Sequence, residues 1–126
     1  MAATCSAVPV TIKGEPRTPG YWKNHPEAWQ MQTVTIGGVE YSQAEAIDLL
    51  GSNAKDATYK LASHLIAAEL NAASAFYGTY NPNTVRSYIN QANAFLTEHP
   101  LGSNPQGADR NYALALKDWL DTFNNS

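Results

Sequence analysis

The sequence is poor in cysteine and has no long apolar run. Its one cysteine, Cys5, cannot form a disulfide within the chain, and a zinc site cannot be built from thiolates. We interpret Cys5 as an inert thiol, with an intermolecular disulfide as the alternative. No run of roughly 18 apolar residues is present, which excludes a membrane-spanning helix.

Charge is scarce as well. Charged residues occupy 15% of the 126 positions, against about 25% in typical soluble domains. Eight basic and eleven acidic side chains leave a net charge of -3. This charge has the wrong sign to gain counterion-release energy from a phosphate backbone. We therefore expect no nucleic-acid partner, while the weak net charge makes self-association possible.

The polar residues that are present are mainly neutral, chiefly Asn, Thr, Ser, Gln and Tyr. Together with the scarcity of lysine, this composition favours a secreted, extracellular protein. The amino terminus lacks a basic region followed by an apolar stretch, so we expect no signal peptide in this chain.

The length fits one domain. Glycine and proline interrupt the segment before Tyr21, so residues 1–19 are predicted to be an irregular leader with a short edge strand at 8–12. Residues 20–126 form the predicted helical domain. Gly37-Gly38 lies between two alternating segments and predicts a β-hairpin at about residues 33–41. The expected fold is mainly α, an irregular bundle of four to five helices with one inserted β-hairpin.

Capping signals divide the helical part of the sequence. Ser42, followed three residues later by Glu45, forms a capping box, and Asn53 with Asp56 at its third position repeats the pattern. The helix after Asn53 is the longest, and its many alanines allow close helix approach. Helices are predicted at about residues 26–31, 43–50, 54–77, 82–99 and 108–123.

The first candidate site is an aromatic segment near the start of the predicted domain. Aromatic rings with polar tips stack on sugars or on aromatic ligands, while neighbouring amide and imidazole groups bind hydroxyls. The alternative is that one or both tryptophans belong to the core. A mixed arrangement would have Trp29 inward and Trp22 or Tyr21 partly exposed. The predicted ligand-binding residues are Tyr21, Trp22, Lys23, Asn24, His25 and Trp29.

Histidine is the second candidate. A metal site would need two of His25, His64 and His99 to converge with a carboxylate such as Glu27 or Glu69. The pair favoured is His25 with His64, because the aromatic segment can pack on the longest helix. The alternative for His64 is a hydrogen-bonded core histidine beside the apolar stripe.

Signals for catalysis are weak. No serine has the glycine framing of a nucleophile elbow, and Gly37-Gly38 is too short to cradle a phosphate. The carboxylate pairs Glu45 with Asp48 and Asp118 with Asp121 are typical of solvated helix surfaces. We therefore expect no cofactor, and a function without catalysis is favoured.

Residues 20–29 read GYWKNHPEAW. This element resembles a recurring extracellular module of bacterial and some fungal secreted and cell-surface proteins, and the resemblance continues through residues 35–41, 61–71 and 120–125. It implies placement outside the cell, often beside adhesion-type domains, and carries no settled enzymatic role. At Glu69, where such modules often have lysine, this chain departs from the pattern.

These observations predict an extracellular, non-enzymatic binding or assembly module. Its partner would be a surface, a carbohydrate or a protein, contacted through the aromatic-rich face. One alternative is a small secreted metal-dependent enzyme that uses His25 and His64. The other is a carrier of an apolar ligand, in which the alanine-rich helix borders a cavity.

Overall fold

The computed structural model describes residues 14–126. Cys5 and the strand predicted at 8–12 lie outside the described residues, as does most of the predicted leader. The described part confirms a mainly α fold of five helices with one inserted hairpin. Its elements are α1 (Pro19–Asn24), a 3₁₀ turn (Pro26–Ala28), β1 (Thr33–Ile36), β2 (Val39–Ser42), α2 (Gln43–Leu50), α3 (Ala57–Ala73), α4 (Pro82–Glu98) and α5 (Gly107–Asn124).

Helix α3 is the centre of the core and contacts α1, α2, α4, α5 and β1. Its side chains are buried nearly all round, and Ala62, Ala67 and Ala68 have no surface that a water molecule can reach. Small side chains let the neighbouring helices approach closely. Close approach keeps the van der Waals contacts that a void would remove. These three alanines therefore border no space that a water molecule can enter.

The hairpin forms where the sequence predicts it. Strands β1 and β2 pair antiparallel, with Ile36 opposite Val39 and Val34 opposite Tyr41. Gly37 and Gly38 have φ angles of 58° and 79°, the pair of positive values that a tight two-residue turn needs. The inner face of β1 buries Val34 and Ile36 against the helices.

The start of the domain differs from the prediction. Helix α1 covers residues that the glycine and proline signals had assigned partly to the leader, whereas the helix predicted at 26–31 is a single 3₁₀ turn. Thr18 Oγ1 accepts a hydrogen bond from Tyr21 N at 3.1 Å, and Pro19 occupies the first turn. Proline at this position needs no N–H partner, so it begins the helix instead of breaking it.

Both ends of α3 also differ from the prediction. Asp56, not Asn53, caps α3, because Asp56 Oδ1 accepts the Thr58 N–H at 2.8 Å. The helix ends at Ala73, well before residue 77, since Ala75 takes a left-handed φ of 58°. The Ser42 capping box at the start of α2 is confirmed.

Candidate functional site

The aromatic segment, residues 20–29, is divided between core and surface. Trp22 is fully buried and Trp29 is 7% exposed. Trp22 Nε1 donates to Asn71 Oδ1 at 3.1 Å, and Trp29 Nε1 donates to the Trp22 carbonyl at 2.9 Å. Because both indole N–H groups have partners inside the fold, the two tryptophans are core residues. This corrects the expectation that they line a ligand-contacting face.

Asn71 is the central residue of a buried hydrogen-bond network, which we call the anchor. Besides Trp22, its Oδ1 accepts the Arg17 N–H at 2.7 Å, and its Nδ2 donates to the Arg17 carbonyl at 2.9 Å and to Asn124 Oδ1 at 3.0 Å. Asn124 Nδ2 then donates to the His64 carbonyl at 3.0 Å. The network ties the segment before α1, α1 itself, α3 and the end of α5 together.

Sequence reasoning missed both asparagines of the network. Asn124 lies just beyond the predicted end of the last helix, yet it is fully buried. Asn71 is also fully buried, among the apolar positions of α3. A polar residue on an apolar stripe is the signal that would have marked it, because a buried amide must find hydrogen-bond partners.

Lys23 lies apart from the other exposed residues of the segment. Two positions along a helix turn a side chain by about 200°, so Lys23 lies on the opposite side of α1 from Tyr21. A Cβ at Gly51 would lie 2.8 Å from Lys23 Cε, which places the lysine stem against the end of α2. There its positive charge meets the negative end of the helix dipole.

The exposed half of the segment is a compact group of aromatic and charged side chains. The rings of Tyr21 and His25 stack with centroids 4.3 Å apart, and the Arg17 guanidinium lies 5.1 Å from the Tyr21 centroid. His25 Nδ1 is 3.1 Å from Glu27 Oε2, and Asn24 is exposed beside them. We call Arg17, Tyr21, Asn24, His25 and Glu27 the α1 face.

Two further properties define the α1 face. Hydrogen bonding to the backbone, and then to His25, lowers the pKa of the Glu27 carboxyl, so this side chain keeps its negative charge. A shallow cleft of about 260 Å³ opens beside Arg17 and Tyr21, next to residues 124–126. The face therefore combines an aromatic stack, charges of both signs and a small concavity.

The predicted metal centre does not assemble. His25 has Glu27 as its carboxylate neighbour, whereas His64 Nδ1 lies 3.9 Å from Asp121 Oδ1. Glu69 is elsewhere again, where its Oε2 accepts a hydrogen bond from Asn93. Within residues 14–126, no three His, Cys, Asp or Glu side chains are grouped so that they could hold a metal ion.

His64 and Glu69 respond to burial in opposite directions. Burial lowers the pKa of His64, against the opposing charge of Asp121, and in the described part of the chain its Nδ1 is buried without a hydrogen-bond partner. Burial raises the pKa of Glu69 to about 7, because one hydrogen bond from Asn93 only partly offsets desolvation. His64 is therefore largely buried, as the core alternative expected, but within residues 14–126 its Nδ1 does not make the hydrogen bond that this alternative included.

A second concavity, which the sequence did not predict, lies between the end of α4 and the start of α5. Tyr112 of α5 is 47% exposed and lies on this concavity. The volume is about 520 Å³. We call it the end cleft, and its lining residues are Gln91, Ala94, Phe95, Glu98, His99, Ala108, Asp109 and Tyr112.

Two findings bear on the class of protein. None of the helices described between residues 14 and 126 has both the length and the apolar character that crossing a membrane requires. Comparisons of the chain with family models, with curated proteins and with solved structures gave no match.

Proposed function

We propose that the chain is an extracellular, non-enzymatic binding module that contacts another protein through the α1 face. The observation that carries this proposal is the arrangement of Tyr21, His25 and Arg17. The Tyr21 ring contacts both His25 and Arg17 on the outer side of a helix whose inner side is held in the core by Trp22.

The anchoring of α1 supports a binding role. A helix of six residues is unstable by itself, because few hydrogen bonds offset the cost of nucleation. Burial of Trp22 and the bonds of Asn71 to Arg17 fix this short helix and the residues before it. Side chains that are ordered before binding lose less entropy when a partner arrives, so the same contacts give a higher affinity.

The chemistry of the face favours a protein over a carbohydrate. A sugar needs a free aromatic face on which to stack, whereas the Tyr21 ring already contacts His25 and Arg17. Tyrosine and arginine are the residue types that dominate binding energy at protein interfaces. The opposite charges of Arg17 and Glu27 add electrostatic specificity to such a contact.

The extracellular part of the proposal rests on composition and on the resemblance of residues 20–29. Detection of the native protein in the culture medium of its source cells, with none retained inside, is the expected result. Retention inside the cells would contradict the location alone and would leave the binding role of the α1 face intact.

Site-specific crosslinking tests the binding role. The variant Tyr21→p-benzoylphenylalanine, irradiated in the native extracellular fraction, is expected to give a discrete protein adduct that Arg17→Ala weakens. The matched control places the same group at Asp48, an exposed position on α2. An adduct between two copies of the chain would support an assembly role. No adduct at position 21, or equal adducts at 21 and 48, would refute the proposal.

A further inference from the structure

The end cleft has an aromatic wall. Phe95 is 7% exposed and stacks on His99 with ring centroids 4.4 Å apart, while Tyr112 packs beside Phe95 at 5.7 Å. Tyr112 and Val39 are the large apolar side chains that remain well exposed in the described part of the chain. The Tyr112 ring therefore offers aromatic surface at the edge of the end cleft.

The Tyr112 ring is held in place from both of its ends. Its hydroxyl donates to Gln91 Oε1 at 3.3 Å, and Gln91 Nε2 in turn donates to Ser87 Oγ at 3.2 Å. The other side of the ring rests against Phe95. The aromatic surface is therefore positioned before any ligand binds, which reduces the entropy lost on binding.

The charges around the end cleft have one sign. Glu98 lies at the end of α4 and Asp109 in the first turn of α5, so each helix contributes one carboxylate. No lysine or arginine lines this cleft among residues 14–126. His99 Nε2 lies 4.0 Å from Asp109 Oδ2, and the Asp109 side chain is 63% exposed. The cleft thus combines aromatic surface with accessible negative charge.

We propose that the end cleft binds a primary alkylammonium group, the chemistry of a lysine side chain or of a small diamine. The ammonium lies near the carboxylates of Glu98 and Asp109, and the methylene chain covers the exposed ring of Tyr112. Aromatic faces and carboxylates both attract organic cations. The volume of about 520 Å³ is within the range of small-ligand sites, about 300–1,000 Å³. This site shares no residue with the α1 face.

A titration followed by NMR tests this site with defined probes. N-acetyl-lysine amide is expected to shift the backbone amides of Gln91 and Tyr112 and the Gln91 side-chain amide. N-acetyl-norleucine amide lacks the ammonium group and is expected to bind about tenfold more weakly. A third arm with 1,5-diaminopentane separates a peptide source from a free diamine, since tighter binding of the diamine identifies the latter.

Substitutions test the contributions of the carboxylates and of the aromatic ring to binding separately. Glu98→Gln combined with Asp109→Asn removes both charges and is expected to weaken lysine amide binding about tenfold. Tyr112→Ala removes the ring and is expected to weaken binding about fivefold. The matched control, Asp48→Asn, makes the same charge change on α2 and leaves binding unchanged.

Three outcomes would overturn the proposal. Equal binding of the lysine and norleucine amides would show an apolar groove, and binding of glucose in place of either amide would show a sugar site. Absence of any shift at millimolar probe would show no site. Unchanged circular dichroism of each variant confirms that a loss of binding reflects the cleft and not unfolding.

Discussion

Residues 20–29 and the end cleft hold aromatic side chains in opposite ways. In the first, Trp22 and Trp29 are buried and their N–H groups are bound inside the fold. In the second, Tyr112 keeps 47% of its surface exposed, and its hydroxyl is satisfied by Gln91 on the neighbouring helix. The first region stabilises the fold, whereas the second leaves aromatic surface available to a ligand.

A cluster of aromatic residues in a sequence therefore does not by itself identify a binding surface. A donor that must be satisfied in the core constrains its neighbours, so a buried tryptophan needs a fitted partner such as Asn71. An exposed tyrosine needs only one partner at the surface. The tryptophans of residues 20–29 therefore hold this segment in the core, and only the remaining exposed side chains are available to a partner.

The sharpest test of the comparison pairs one substitution in each region. Trp22→Ala removes a fully buried ring and leaves Asn71 Oδ1 with one partner fewer, so it is expected to lower the free energy of unfolding by about 4 kcal/mol. Tyr112→Ala removes a half-exposed ring and is expected to cost under about 1 kcal/mol. Urea unfolding measures both. Equal losses would mean that the two regions do not differ in their contribution to stability.

The sequence predicts those parts of the fold that local chemistry determines. The hairpin follows from Gly37-Gly38, and the start of α2 follows from the capping box of Ser42 and Glu45. Helix α1 was missed because Pro19-Gly20 is also a common turn sequence. The helix forms because the Thr18 side chain caps it and because Trp22 is buried in the core.

The candidate sites were harder to predict, because they depend on contacts between distant residues. The division of residues 20–29 into core and surface is set by Asn71, which is 49 positions away from Trp22. The end cleft joins Gln91 on α4 to Tyr112 on α5, 21 positions apart. Neither pair has a short motif, since helix packing and not chain proximity brings them together.

Buried polar groups on α3 differ in whether they can ionise, and this difference is expected to make the free energy of unfolding depend on pH. Asn71 and Glu69 both lie on α3, but Glu69 is ionisable and accepts one hydrogen bond, from Asn93. Burial raises the pKa of Glu69 from 4.5 to about 7. The folded state therefore holds a proton that the unfolded chain releases, and the free energy of unfolding falls as pH rises from about 4.5 to about 7.

The variant Glu69→Gln keeps an acceptor for Asn93 and removes the charge. At pH 8 it is expected to be more stable than the parent chain by about 3 kcal/mol, and near pH 4 the difference should vanish. Urea unfolding at several pH values measures both proteins, so other titrating groups cancel in the difference. Asp48→Asn, at an exposed site on α2, is the control. A difference that does not change with pH would contradict the raised pKa.

Two neighbouring asparagines at the end of α5 give the finest test of the anchor. Asn124 is fully buried and joins Asn71 to the His64 carbonyl, whereas the Asn125 side chain is exposed and donates to Asp121 of the same helix end. Asn124→Ala removes one hydrogen-bond partner from the buried Asn71 amide and one from the His64 carbonyl, so it is expected to cost about 2 kcal/mol. Asn125→Ala is expected to cost under about 0.5 kcal/mol, because water replaces the lost bonds. Urea unfolding of the two variants, which differ by one position, measures the contribution of the network separately from that of the helix end. If both substitutions cost the same, the network that connects α5 to residues 17–22 does not stabilise the fold.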